Sequence, residues 1–346
     1  MSELNFGACI GCGLCVLGCP AYEETGFDAL TARGRNKALQ SGLGAADMVE
    51  PIWACTLCGY CDAICPSEVN NVKIVLDLRR QLAKAGSQPV RPPFPHPLAF
   101  RSSELRRGSP EREEREGEAA IAGLTAFAKA SALKKPCATT DTGVAAVAST
   151  RTGARALVVG CTIRERAAHL VPSITEFLRR IGRPAGAADE GGCCGSLDVE
   201  AGLAMPSRIK AGVVADPICL EQYDAEFLGM LAMQHLDLFE LTPPFYYFAP
   251  HRIVNRDHAR AYPLYDALRR RFGCDMNLDL NRLARSTSAG SVQGLSGRDG
   301  RDIPAAVARL LAHSRAERII TCSPADYLAF KAYSGRDTRF ITECLR

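Results

Sequence analysis

The sequence predicts an α+β chain of more than one domain, with a mostly helical N-terminal unit followed by a duplicated α/β unit. Three observations carry that prediction. Eight of the sixteen cysteines fall within the first 66 residues, interleaved with short helical stretches. From about residue 150, short apolar runs closed by glycine alternate with segments of helical period. The same alternation then comes a second time, feature for feature. With 346 residues and 47% hydrophobic composition, the chain can bury more than one core.

Residues 1–86 read as the first unit. RNKALQSGLG, between its two cysteine runs, has helical character, and VKIVLDLRRQLAKAG is an amphipathic helix with Gly86 as its stop. Residues 87–150 read as a linker: five prolines lie between Pro89 and Pro97, and SPEREEREGEAA is a solvated charge run leading into a helix. Residues 151–244 form the first α/β repeat. In it RALVVG is a strand ending at Gly160, Cys161 follows at once, and HLVPSITEFLRRIG is a helix ending at Gly182. Residues 245–346 form the second repeat, with FYYFAP before His251, a helix over Tyr262 to Phe272, RIITC ending at Cys322, and the helical ADYLAFKAY. RALVVGC pairs with FYYFAPH, GGCCGS with TSAGS, and ADPICLEQY with TCSPADYLAF.

Composition narrows the functions. The net charge of +4 is spread through mixed-sign stretches, with no basic stripe interleaved with aromatics, so nucleic acid is not an expected partner. No run approaches the ~18 apolar residues of a transmembrane helix. The start MSELNFGAC carries no export signal, and a cytoplasmic chain is expected. Sixteen cysteines in a reducing compartment exceed what packing uses and would not persist as disulfides, which leaves metal ligation.

The spacing of those cysteines identifies the metal chemistry. Cys9, Cys12, Cys15 and Cys19-Pro20 form one C-x2-C-x2-C-x3-C-P run, and Cys55, Cys58, Cys61 and Cys65-Pro66 form another. Two-residue gaps let three thiolates meet one face of a [4Fe-4S] cubane, while the displaced fourth cysteine reaches the other cluster. Cluster one therefore takes Cys9, Cys12, Cys15 and Cys65, and cluster two takes Cys55, Cys58, Cys61 and Cys19. A pair of C-x2-C zinc sites would leave the two C-x3-C-P tails unexplained. Two cubanes with exchanged ligands lie close together, which suits one-electron transfer.

A third constellation comprises Cys161, the adjacent pair Cys193 and Cys194 after 31 intervening residues, and Cys219 in ADPICLEQY. Adjacent cysteines can bridge several irons of an open cluster, with Gly191, Gly192 and Gly195 letting the backbone approach. The competing readings are a zinc ion and four reduced thiols that merely pack. Cys137, Cys274 and Cys344 have no partners at meaningful spacing.

With these motifs, and with the RGR at Arg33 to Arg35 between the two runs, the chain resembles a dicluster ferredoxin fused to a CCG (cysteine-rich) domain. That arrangement occurs in the iron–sulfur subunits of glycolate oxidase and anaerobic glycerol-3-phosphate dehydrogenase, and in heterodisulfide reductase. The resemblance implies a C-P-x-C element closing each repeat. Here Asp216 stands in place of the first of those cysteines, as a candidate oxygen ligand beside Cys219. In the second repeat Ser288-Ala289 replaces the double cysteine, His251 the leading one and Ala325 the last, while Cys322 is kept. The second repeat is thus degenerate, with His251 and Cys322 its only candidate ligands.

The expected function is an electron-transfer subunit that relays electrons between a flavin-containing dehydrogenase or reductase partner and a CCG-domain centre or downstream carrier. A quinone or membrane-bound acceptor subunit would hold it peripheral to the inner membrane. No G-x-G-x-x-G follows a strand, so substrate chemistry is assigned to another polypeptide. Two other readings are a heterodisulfide-reductase-like enzyme acting on a disulfide at the CCG centre, and a non-catalytic docking scaffold with a ferredoxin relay.

Overall fold

In the N-terminal segment, cysteine loops alternate with short helices because proline and glycine punctuate the chain at every loop. Pro20, directly after Cys19, opens α1 (Pro20–Thr25), which Gly26 ends in a left-handed conformation. α2 (Ala32–Gln40) starts from Thr31, whose hydroxyl accepts from the Gly34 amide. The glycine of the RGR sequence is there for space: a Cβ on Gly34 would stand 2.4 Å from the Asp28 carbonyl oxygen and 2.6 Å from the Ala29 Cα. α3 (Val49–Trp53) and α4 (Tyr60–Ala63) flank the second cysteine loop, and α5 (Asn71–Lys84) lies across both. The amphipathic face of α5 buries Ile74, Leu78 and Leu82 against Met48, Ile52 and Trp53. The structure, a computed structural model, describes residues 4–86, 156–184, 186–187, 194–203, 209–278, 283–285 and 303–346. The proline-rich and charged linker lies outside the described residues.

The C-terminal segment holds two four-stranded, all-parallel sheets. The first contains β1 (Ala156–Val158), β2 (Gly186–Ala187), β3 (Ile209–Val214) and β4 (Tyr223–Phe227) in the order β2-β1-β3-β4. The second contains β5 (Phe245–Phe248), β6 (Asp275–Met276), β7 (Arg318–Thr321) and β8 (Asp337–Phe340) in the order β6-β5-β7-β8. The two orders correspond position for position. Alternation along each strand feeds two cores. Leu157, Phe245 and Tyr247 face a core shared by both sheets, whereas Tyr246 and Phe248 face the outer helices of the second sheet.

Helices connect the strands. In the first half these are α6 (Cys161–Arg166), α7 (Val171–Arg180), α8 (Ser196–Glu200) and α9 (Leu228–Gln234). In the second they are α10 (His251–Arg256), α11 (His258–Phe272), α12 (Ile303–Leu311) and α13 (Pro324–Tyr333). The chain leaves β1 towards β2 on one side and returns to β3 on the other, so the order reverses between β1 and β3, and likewise between β5 and β7. Parallel α/β sheets open a crevice at such a reversal, beyond the carboxyl ends of the strands. Cys161 and Asp216 follow the paired ends Val158 and Val214, and His251 and Ser323 follow Phe248 and Thr321. Among the described residues no helix is long and apolar enough to cross a membrane.

The described N-terminal and C-terminal residues pack as one compact unit. Their joint is Arg79 on α5, which is 1% exposed. Its guanidinium donates to the carbonyls of Cys55 at 2.6 Å, Ile52 at 3.3 Å and Glu200 at 2.9 Å, and it lies over the Trp53 ring at 4.9 Å. Gly202 meets the same turn of α5 so closely that a Cβ would stand 2.5 Å from the Arg79 carbonyl carbon. Arg79→Met removes a buried cation on which three carbonyls depend, and should lower unfolding free energy by about 3 kcal/mol in urea titrations followed by circular dichroism. The exposed Arg179→Met should leave the midpoint in place.

Candidate metal centres

The two cysteine loops share a backbone. The residues before and after the middle cysteine are left-handed in both: Gly11 (φ 76) and Gly13 (φ 84) around Cys12, Leu57 (φ 55) and Gly59 (φ 80) around Cys58. These reversals turn three side chains of a short loop to one side. Cys9, Cys12, Cys15 and Cys65 line one open cavity. Cys19, Cys55, Cys58 and Cys61 line a second, whose wall also includes Cys15. The cysteines after each three-residue gap thus cross over, Cys65 to the first loop and Cys19 to the second. Among the described residues no three His, Cys, Asp or Glu side chains close on a single point. Four thiols standing around a volume fit a [4Fe-4S] cubane, in which each thiolate takes a different iron.

Most of the thiols are at least partly withdrawn from water before any metal is considered, Cys12 being the exception. Burial pushes Cys15 and Cys58 up to about 11 and raises Cys19 and Cys61 as well, because a bare thiolate loses its hydration there. The Arg33 amide hydrogen-bonds Cys15, and the Arg35 charge lies near Cys19 and Cys61; both oppose burial. The Arg33 side chain also donates to the Gly11 carbonyl at 3.1 Å, and Arg35 to those of Leu30 and Pro51. The RGR sequence is therefore scaffolding for both loops. The Leu57 and Val69 amides donate to the Cys55 and Cys65 sulfurs at 3.4 Å, the kind of bond that tunes thiolate ligands. Loading metal at such a site displaces protons, since the ligand is the thiolate.

The two cavities differ in surroundings. Cys12 is exposed, and Ile10 and Leu14, which line the same cavity, are 70% and 38% exposed. Cys58 is buried under α10 of the second sheet.

At the first sheet's crevice, Cys161 opens α6 and Cys219 lies fully buried in the short helix Pro217–Glu221. Gly160 (φ 88) sits between them, where a Cβ would come within 2.9 Å of the Asp216 Cβ and 3.3 Å of the Cys219 sulfur. The Cys194 thiol donates to the Ser196 hydroxyl at 3.1 Å, and Cys193 lies outside the described residues. Asp216 already has partners for both oxygens: one accepts from the Ile218 amide at 3.1 Å and the other from the Thr162 hydroxyl. Burial raises its pKa and Thr162 opposes the shift. Here Asp216 acts as the cap of the Pro217–Glu221 helix.

The second crevice is furnished differently. His251 opens α10, 2% exposed, and neither ring nitrogen has a hydrogen-bond partner among the described residues. Burial, with the charges of Arg252 and Arg256, pushes its pKa down to about 3. Cys322 belongs to the shared core, accepting from the Tyr247 hydroxyl at 3.2 Å, and burial pushes it up to about 12. The register of the sheets aligns Asp216 with Ser323, each preceding a proline and capping a helix, so Cys322 corresponds to Ala215. The expected pairing of ADPIC with TCSPA is displaced by one residue. Ser288 and Ala289 lie outside the described residues, as does Cys137. Cys274 is buried and Cys344 half-buried.

Sequence patterns did not reveal the charged cluster between the two crevices. Arg252 is ion-paired with Glu200, their side chains only 5% and 2% exposed, and Glu221 lies 3.9 Å from Arg252 and pairs with Arg256.

His251 yields a pH prediction. Its folded pKa, about 3, lies below the ordinary 6.5, so between those values the unfolded chain binds the extra proton. The contribution is fully present above pH 6.5 and is lost as pH falls towards 3. In urea unfolding, the wild-type protein should lose about 2 kcal/mol more between pH 7 and pH 5 than His251→Leu does.

Residues 5–69 match the family described as a 4Fe-4S dicluster domain. The chain is 37% identical over 82 residues to an uncharacterized electron transport protein, YkgF, of Escherichia coli K12, covering 22% of this chain and 17% of the relative. It is 31% identical over 76 residues to the fumarate reductase iron-sulfur subunit of Escherichia coli O6:H1, covering 19% and 31%. With one of the subunits of the H(2):CoB-CoM heterodisulfide,ferredoxin reductase of Methanothermobacter thermautotrophicus the identity is 33% over 81 residues, covering 22% and 41%. The chain thus spans less than half the length of these curated relatives. No solved structure gives a significant match.

Proposed function

We propose, from the premise that residues 5–69 are a 4Fe-4S dicluster domain, that this chain is the iron–sulfur electron-transfer subunit of a multi-subunit oxidoreductase. The observation that carries the reading is the pair of adjoining cavities, the first faced by four cysteines and the second by four more together with Cys15, which stands in both walls. Each cluster, when bound, supplies a one-electron carrier. The residues that would hold cluster one are Cys9, Cys12, Cys15 and Cys65, and those for cluster two are Cys19, Cys55, Cys58 and Cys61. The chain's own work is to desolvate these thiols, to orient them through the left-handed loop residues, and to supply N–H donors to sulfur.

The first loop is the port of the relay. Exposed Cys12 and its apolar neighbours Ile10 and Leu14 suit brief docking of a flavoprotein dehydrogenase or reductase, because an apolar rim excludes water around the transfer path. The second loop is the inner end. It adjoins Glu200 and Arg252, and through them the crevice where Cys161, Cys193, Cys194 and Cys219 would form the third centre, an iron–sulfur cluster or zinc. The sheets then read as two halves of a duplicated CCG domain, supported by their matching strand orders. The second half is degenerate, with His251 where the first has Cys161. A quinone-linked acceptor would place the complex at a membrane surface through that partner.

A second reading, a reductase of disulfides acting at the third centre, is favoured by the position of Cys161 and Cys219 at the reversal of strand order. Anaerobically purified protein should contain about eight irons if only the dicluster domain is loaded, and about twelve if the third centre holds a four-iron cluster. Cys65→Ser should alter one of the two cubane signals in electron paramagnetic resonance, and Cys19→Ser the other. Loss of the same signal in both variants would contradict the crossed ligand sets. A flavoprotein retained with the chain on native purification supports the relay, whereas turnover of a disulfide by the chain alone supports the reductase.

A further inference from the structure

The second half of the C-terminal segment has few ligand residues, yet one of its helices reaches directly onto the second cysteine loop. α10 occupies the place in its half that α6 occupies in the first, each opening three residues after its strand. α6 opens at Cys161 beside Cys219; α10 instead turns three side chains outward to the loop. Arg252 donates to the carbonyl of Thr56 at 3.4 Å, Arg256 to that of Leu57 at 3.2 Å and Asn255 to that of Cys58 at 3.2 Å. Three successive carbonyls are thus captured by one helix. The fit is close enough that a Cβ on Gly59 would stand 3.2 Å from Arg256 Cγ and 3.5 Å from Asn255 Cβ. Asn255 is itself fixed, exchanging hydrogen bonds with both backbone groups of Ala284.

Among the described residues the first loop has no such cover. Its carbonyls at Cys9 and Gly11 are met by Gln40, Lys37 and Arg33 of α2, from within its own segment. These two cations are solvent-screened, Lys37 being exposed and Arg33 half-exposed and paired with Asp28, whereas Arg252 is buried. The loops also differ in strain. At the position before the middle cysteine the first has Gly11 and the second Leu57, and a left-handed leucine is strained where glycine is not. Leu57 is 1% exposed, and Arg256 holds its carbonyl.

We infer that α10 is a positioning clamp that raises the reduction potential of the cluster held by Cys19, Cys55, Cys58 and Cys61 above that of its neighbour. The inference rests on the reading that residues 5–69 hold two clusters. Uptake of one electron adds a negative charge with no bond made or broken, so nearby cations favour the reduced form. Arg252 and Arg256 touch the loop directly. Their countercharges, Glu200 and Glu221, come from the first half of the C-terminal segment, so the arginines rather than the glutamates contact the loop carbonyls. The clamp also withdraws three carbonyl dipoles from the thiolates. Electrons entering at the exposed first loop, from reduced flavin in the complex, then run downhill to the covered second loop. Degeneration of the second repeat exchanged ligation for control of a cluster in another segment.

The test is a redox titration of the cluster-loaded protein followed by electron paramagnetic resonance. Arg256 is partly exposed, so Arg256→Gln leaves the buried Arg252–Glu200 pair intact. It should move one of the two cubane signals to more negative potential, the same signal that Cys19→Ser alters, and leave the other where it was. Arg256→Lys, which keeps the charge, should restore most of the shift. The double variant Arg252→Gln/Glu200→Gln removes the second cation without stranding a buried carboxylate, and should shift the same signal. Unchanged potentials in variants that retain both clusters overturn the clamp, as does an equal shift of both signals, which a merely structural disturbance would give. Wild-type protein without two cubanes overturns the parent reading, and is recognised before any variant is made.

Discussion

Glu200 is the point on which the rest of the arrangement depends, because two buried arginines distant in sequence, one from each segment, meet there. Its backbone carbonyl accepts from Arg79 of α5, and its carboxylate pairs with Arg252 of α10. Withdrawing these charges from water is costly, and the cost is offset only where geometry supplies every partner. Arg79 therefore uses the Ile52 and Cys55 carbonyls, and Arg252 adds that of Thr56. A displacement of either segment would strand a buried charge, so this network specifies how the cysteine loops sit against the sheets. It also fixes the strand-end segment that carries Cys194, six residues before Glu200 in the sequence.

The sequence was most informative where chemistry is local. Three thiols that must face one cluster have to come from one short loop, so their spacing is written in consecutive residues. α5 and the fully buried β5 were equally legible, one from its 3.6-residue period and the other from an unbroken apolar run. β3 and β4 were not, since IKAGVV and YDAEF mix exposed polar and buried apolar positions without a clean period. α9, LGMLAMQ, is buried almost all round and has no polar face to reveal it. α11 begins before its proline, Pro263, because the first helical turn at His258 precedes it.

Pairing the two halves by cysteine missed a better marker. Pro217 and Pro324 each open a helix after a buried cap, Asp216 and Ser323, and a helix start constrains sequence more tightly than a lost ligand does. Aligning the prolines gives the register of the sheets and moves Cys322 into the core with Tyr247. Arg79 and Arg252 could not be singled out, because an arginine on a helix is ordinarily a surface residue. What buries these two is the supply of backbone carbonyls from cysteine loops distant in sequence.

The same reasoning accounts for His251. A cysteine at that place would be a buried thiol at the end of β5 with Arg252 directly following it, whose charge favours the thiolate. An imidazolium there would set a third positive charge beside Arg252 and Arg256, whose own charges are balanced by Glu200 and Glu221. A neutral imidazole does neither. The low pKa of His251 comes first from its burial and then from the two arginines at the second cysteine loop: the cations that reach Thr56 and Leu57 add to the desolvation that keeps the histidine uncharged.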